Sequence, residues 1–197
     1  MNKRTPVCLV LKSAVLLVTL LCVFPLFATN PQKKEMKELN VKKVSLANVA
    51  VENIPALLDK EKVAFQSINT VNWKAFPYQP EVQFRIAHTD DAILVHYKVK
   101  EASVRAVAAG DNGAVWEDAC VEFFSIPAGI YYNVECNCAG ILLIGAGAGR
   151  ENREHAPQEV MDKVQRWSSL GRQSFEERVG ECNWELALVI PYSAFFK

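Results

Sequence analysis

The sequence predicts an all-β protein, an antiparallel, jelly-roll-like β-sandwich preceded by a leader and one short N-terminal helix. Three observations carry this. Short runs of alternating apolar residues recur through the second half of the chain. Turn-forming residues punctuate them at short spacing. Helical periodicity is scarce. Half of the 197 residues are hydrophobic and 22% are charged, enough to build a core. The formal net charge is zero, which argues against a nucleic-acid partner, since that would need a basic face.

The elements follow in order. Lys3, Arg4 and Lys12 precede an apolar run from residue 14 to 27, the pattern of a secretory signal over 1–28 with Ala28 as the last residue removed. The run is short of the roughly 20 apolar residues that span a bilayer, so contact with a membrane is expected only through this segment. The predicted location is secreted: periplasmic, outer-membrane-associated or extracellular. Without residues 1–28 the chain is mildly acidic. Such a balance fits a neutral or cationic ligand better than a polyanion. Residues 29–62 read as a linker and N-terminal extension. A first strand is expected in "VKKVSLANVAV", and a short helix in "NIPALLDKEK" with Asn53 as N-cap. The main domain is placed at 63–197, entered through the turn-rich "VNWKAFPYQPEV".

Strands are then predicted at "VQFRIAH" and "AILVHYKV", joined by "TDD", and at "VRAVA" and "VWEDACVEFF", joined across "AGDNGA". "YYNVECNC", "GILLIGAG" and "NWELALVI" complete the set. Residues 151–170 leave two choices: a helical stripe through Val160, Val164 and Trp167, or a loop plus a strand in "VQRWSSL". Cys120, Cys136, Cys138 and Cys182 allow three disulfide pairings, among which sequence does not choose; as buried thiols they act as small hydrophobes. His88, His96 and His155 lack metal-ligand spacing. "GILLIGAGAGR" has Arg150 where a dinucleotide loop needs its third glycine.

In "VWEDACVEFF", alternation puts Trp116, Asp118, Cys120, Glu122 and Phe124 on one face and Val115, Ala119, Val121 and Phe123 on the other. "YYNVECNC" repeats the design, with Tyr131, Asn133, Glu135 and Asn137 opposite Tyr132, Val134, Cys136 and Cys138. Paired, the two polar faces make one surface of rings, amides and carboxylates. That chemistry suits a sugar, whose apolar ring face stacks on an aromatic while its hydroxyls meet the polar groups. It equally suits the wet side of a one-sided sheet.

"AVWEDACVEFF", "YYNVECNCAGILL" and "FRIAHTDDAILVHYKV" together resemble the family-9 carbohydrate-binding modules, and in particular the family-9-like domains of secreted proteins from the Bacteroides group. The resemblance covers roughly residues 73–197. It implies a β-sandwich that binds carbohydrate without transforming it, working beside enzymes that degrade polysaccharides such as xylan. Trp116 falls where the family has a stacking tryptophan, and Glu122 where it has a carboxylate that bonds sugar hydroxyls. Glu135 falls at or near a family arginine, a departure. Asn133 and Glu135 join Glu122 as expected hydrogen-bonding groups, and Arg150 as a bidentate donor. Asp118 is expected to hold a neighbouring loop. The chain stops at "IPYSAFFK", before the family's second clamping tryptophan, so the C-terminal part of the domain is expected to be missing. No cofactor is expected, although the resemblance makes a structural calcium a candidate, with oxygens from "DNG" or "TDD"; neither loop has the full set of an EF-hand. Two other functions compete: a glycoside hydrolase using Glu122 and Glu135, and a structural surface protein with no sugar ligand.

Overall fold

The computed structural model describes residues 38–46 and 49–197; the predicted signal sequence and the first part of the linker lie outside the described residues. In chain order the strands are β1 (Lys42–Lys43), β2 (Gln66–Ile68), β3 (Glu81–His88), β4 (Ala92–Ala106), β5 (Cys120–Ser125), β6 (Tyr131–Asn137), β7 (Leu142–Gly147), β8 (Glu154–His155), β9 (Gln165–Ser168) and β10 (Phe175–Pro191). Two short helices accompany them, α1 (Ile54–Lys60) and α2 (Gln158–Met161). The strands form two sheets. A six-stranded sheet runs β1-β3-β4-β10-β9, with β2 also on β3, and a four-stranded sheet runs β5-β6-β7-β8. Every pairing is antiparallel except β1 on β3. The expected sandwich is what forms.

The core lies between the sheets. Val95, Tyr97, Trp184, Leu186, Leu188 and Ile190 of the large sheet meet Val121, Tyr132, Val134, Cys136, Leu142 and Ile144 of the small one. Strict alternation drives this packing, because period-two apolar residues fall on one side of each strand. Cys136 and Cys138 are buried, and all four cysteines of the described chain are free thiols. A second, smaller core lies on the other side of the large sheet, where Ile54 and Leu58 of α1 cover Ala87, Leu94, Ala187 and Val189. Both α1 residues are fully buried, a contribution of about 1.5–3 kcal/mol each.

Four expectations need correction. The run 92–99 and the first part of 104–108 belong to one continuous strand, β4, which ends at Ala106, because β10 pairs along its whole length, with register shifts between Phe175 and Arg178 and between Val179 and Cys182. Asn53 precedes α1 but its side chain caps nothing; a 3-10 turn at Val51–Asn53 leads straight into the helix. The 151–170 segment takes the second alternative, a strand through Trp167 (β9); the helical stripe does not form, since α2 ends at Met161, before Val164 and Trp167. Finally, residues 115–124 are not one strand. Val115–Glu117 form a 3-10 turn and extended pairing begins only at Cys120.

Candidate functional site

That last difference changes how Trp116 is presented. Alternation cannot place it, since it sits on a turn rather than a pleat. Val115 is fully buried and anchors the turn, whereas Trp116 is 58% exposed. Asp118 closes the turn. Its carboxylate accepts from the backbone N–H of Val107 and of Ala108, both at 3.0 Å, and from Asn137 Nδ2 at 2.9 Å. Burial favours the protonated acid, but these three bonds with the nearby Arg105 outweigh it and hold the pKa below the ordinary carboxylate value. Arg105 also donates to the carbonyl of Glu117. Asp118 therefore does hold a neighbouring loop, and through it fixes the turn that carries the tryptophan.

Beyond the turn, β5 and β6 pair in register, and the outer face of the small sheet is built. Cys120 lies opposite Asn137, Glu122 opposite Glu135 and Phe124 opposite Asn133. On the far side of β6, Glu135 meets Leu143, Asn133 meets Gly145 and Tyr131 meets Gly147. Glu122, Asn133 and Glu135 thus share one face on adjacent strands. This face is not the wet side of a sheet: Asn133 is 2% and Glu135 3% exposed, and Asn137 is fully buried. Asn137 is spent on structure, because its Oδ1 accepts from Ala139 and Ile141 in the β6–β7 turn. Asn133 donates from Nδ2 to Glu135 Oε2 at 3.1 Å, and the Cys120 thiol contacts Glu135 Oε1 at 3.8 Å. Glu122 remains exposed at the rim. Burial, and then the charge of Glu135 opposite, raise its pKa above the ordinary value, while Arg150 and Arg153 pull it back. Arg150 itself is exposed, in the bend after β7.

Three features of the face were not predicted as site residues. Phe124 and Tyr131 stack with ring centroids 5.8 Å apart and planes 26° apart, leaving Phe124 half exposed. Arg153 lies across β7, its Cβ and Cδ each 3.3 Å from where a Cβ on Gly145 would sit. Gly145 and Gly147 are the third feature, since side chains there would occupy that space. Their alternate spacing beside Asn133 and Tyr131 was the available signal that another segment crosses the sheet.

The loops named for calcium are occupied from within. Asp111 takes two bonds from Arg166, at 2.6 and 2.8 Å, and one from Leu142 N. Asn112 bonds Ala156 and Ile144, and Thr89 bonds Asp91. Among the described residues, no group of three or more His, Cys, Asp and Glu side chains converges as a metal site.

A crystal structure of a candidate carbohydrate-binding protein from Bacteroides uniformis ATCC 8492 is 62% identical to this chain, with a TM-score of 0.78, covering 81% of this chain and 75% of that one. A family 9 carbohydrate-binding module from Caldicellulosiruptor kristjanssonii, solved in complex with cellotriose, is 14% identical with a TM-score of 0.48, covering 80% of this chain and 68% of that one. No curated protein matches. The family model described as carbohydrate-binding family 9 matches residues 52–197, and the chain belongs to that family.

Proposed function

We propose that this protein binds carbohydrate through the outer face of the four-stranded sheet and leaves it chemically unchanged. The carrying observation is the register of β5, β6 and β7. It gathers Glu122, Asn133 and Glu135 beside a stacked Phe124–Tyr131 pair, and Trp116 stands exposed on the turn that leads into β5. Rings with flanking amides and carboxylates match a pyranose, apolar on its faces and hydroxylated at its edge. Glu122 and Glu135 stand directly opposite each other, from Cα atoms about 5 Å apart. Burial, and side-chain contact between the two carboxyl groups, raise the pKa of Glu122; a pair in contact leaves no sugar bond between its members, whereas hydrolytic pairs stand about 5–10 Å apart. This supports recognition over hydrolysis.

The sugar is taken to be part of a plant-type or similar polysaccharide, with xylan among the candidates, and the residues contacting it to be Trp116, Glu122, Asn133, Glu135 and Arg150. The basic start and apolar run within residues 1–28 support export from the cytoplasm. Calorimetry and pull-down against insoluble and soluble polysaccharides test the binding. Reducing-sugar release from the same panel tests for catalysis. Saturable binding with no release is expected; release abolished by Glu122→Gln would overturn the reading.

A further inference from the structure

Away from the small sheet, the loop between β2 and β3 gathers exposed rings. Of the thirteen exposed large hydrophobic residues among the described residues, five lie from Ile68 to Tyr78, with Trp73 at 64%, Phe76 at 75% and Tyr78 at 59% exposure. We propose that this loop is a second carbohydrate-binding site, for neutral polysaccharide, on a different sheet from the first. The proposal rests on the carbohydrate-binding reading above.

The rings sit on a built loop. The Phe76 N–H donates to the Trp73 carbonyl at 3.0 Å. This closes a turn over residues 73–76, whose end Cα atoms stand within about 7 Å of each other. Trp73 and Phe76 thus leave the chain from the two ends of one turn. Tyr78 is fixed at its tip, where its Oη accepts from the Ala102 N–H on β4 at 2.8 Å, while its ring stays exposed. Pro77 and Pro80 on either side hold φ near −65° and restrict the loop further. At the base, β2 and β3 pair, Ser67 opposite Gln83 and Ile68 opposite Val82. Between the two limbs lies a cavity of about 330 Å³, with Asn69, Gln79 and Gln83 among its walls. Its size is in the range of small-molecule sites, about 300–1,000 Å³.

The chemistry of the loop selects its partner. From residue 67 to 79 the only charge is Lys74. A polyanion or a lipid surface calls for several basic groups, and the cavity has Glu81 instead. A protein partner calls for an apolar centre inside a polar rim, whereas the cavity walls here are mostly polar. Amides donate and accept, as sugar hydroxyls do, and an exposed ring on a pinned loop offers a stacking face to the apolar side of a pyranose. β2 and β3 belong to the six-stranded sheet, while Glu122, Asn133 and Glu135 lie on the four-stranded one. With two sites on one chain, the second contact with a long polymer becomes intramolecular, which raises avidity.

The test compares the wild-type full chain with Trp73→Ala combined with Phe76→Ala, and with Trp116→Ala. The ligands are cellohexaose, xylohexaose and mannohexaose in calorimetry, and soluble β-glucan, xylan and mannan in affinity electrophoresis. Wild type is expected to take up two hexasaccharides per chain and each variant one. The Trp73 and Phe76 double variant should also lose roughly tenfold or more in affinity for the polymer. Trp73→Ala alone gives the same reading should the double variant not fold. One hexasaccharide per wild-type chain, with the double variant holding polymer like wild type, overturns the second site. So does a wild-type dimer in sedimentation that the double variant abolishes while sugar binding is unchanged, since the loop is then a contact between copies. Wild type that binds nothing in the panel overturns the carbohydrate reading itself; binding that needs Trp116 but is indifferent to Trp73 and Phe76 overturns only this step.

Discussion

The two sheets each carry a buried polar cluster on their outer face, and the clusters are finished differently. On the large sheet every group is paired. Arg85 is 2% exposed; its Nε donates to His96 Nδ1 at 3.0 Å, Nη1 to Asp59 at 2.5 Å and Nη2 to the Pro55 carbonyl at 2.7 Å. His96 Nε2 completes the chain to Glu185 Oε2 at 2.8 Å. On the small sheet, Asn133 and Arg153 each retain an unpaired atom. A saturated cluster has no capacity left for a ligand and acts to hold α1 on its sheet. An unsaturated one keeps hydrogen-bonding capacity that the fold itself does not use. Burial of polar residues alone does not separate these roles; the count of unmet hydrogen bonds does.

The sharpest way to break the contrast is Arg85→Met. It leaves His96 Nδ1 and the Pro55 carbonyl without their donor and should cost about 2–4 kcal/mol in chemical denaturation, while sugar affinity of the folded fraction stays at the wild-type value. Lost sugar affinity with stability retained would reverse the two assignments. Acid provides a related test. Burial, reinforced by the charges of Arg85 and Lys98 and opposed by Glu185, lowers the His96 pKa to about 4 from 6.5. The unfolded state then binds the extra proton in that window, so stability should fall as pH drops from 6.5 through 4, by on the order of 3 kcal/mol. His96→Gln should flatten this slope in pH-dependent denaturation.

Effects on the small sheet should appear in binding first. Trp116→Ala removes an exposed ring and is expected to cost about 1–3 kcal/mol of sugar binding by calorimetry, with stability unchanged within about 0.5 kcal/mol. Unaltered affinity would remove Trp116 from the site. The smallest effect belongs to Glu122→Gln. The raised pKa of Glu122 means the folded state holds its proton more tightly, so the ionised form weakens the fold as pH rises above 4.5. The glutamine variant should melt slightly higher than wild type at pH 7, and the difference should vanish at pH 4.

Much of this was legible in the sequence, for identifiable reasons. Tyr132, Val134 and Cys136 alternate with Asn133 and Glu135, and period two assigns each set to its side without further information. Trp184 reads as a core residue and is 2% exposed. What alternation cannot show is where a pleat begins: Trp116 and Glu122 fit one face on paper, yet a turn separates them, set by hydrogen bonds from Val107 and Ala108 to Asp118 that cross about ten residues of chain. Nor does it show what lies above a face. The polar side of β6 suited a wet face as well as a sugar site, because Arg153, which crosses the neighbouring β7, comes from a loop with no periodic pattern, and only the glycines at 145 and 147 hinted at it.

The register shifts in β10 have a further consequence, for solubility. Over its first half β10 pairs only with β4 among the described residues, so one flank of that segment offers free backbone donors and acceptors to any other extended chain. Glu176, Glu177, Arg178 and Glu181 line the stretch with charge. Gly180, at φ 132°, sits in the second irregularity and breaks the flat edge that a foreign strand would need. The segment that looks least regular in the sheet thus combines charge and a bend, the two features that discourage a free edge from pairing with another strand.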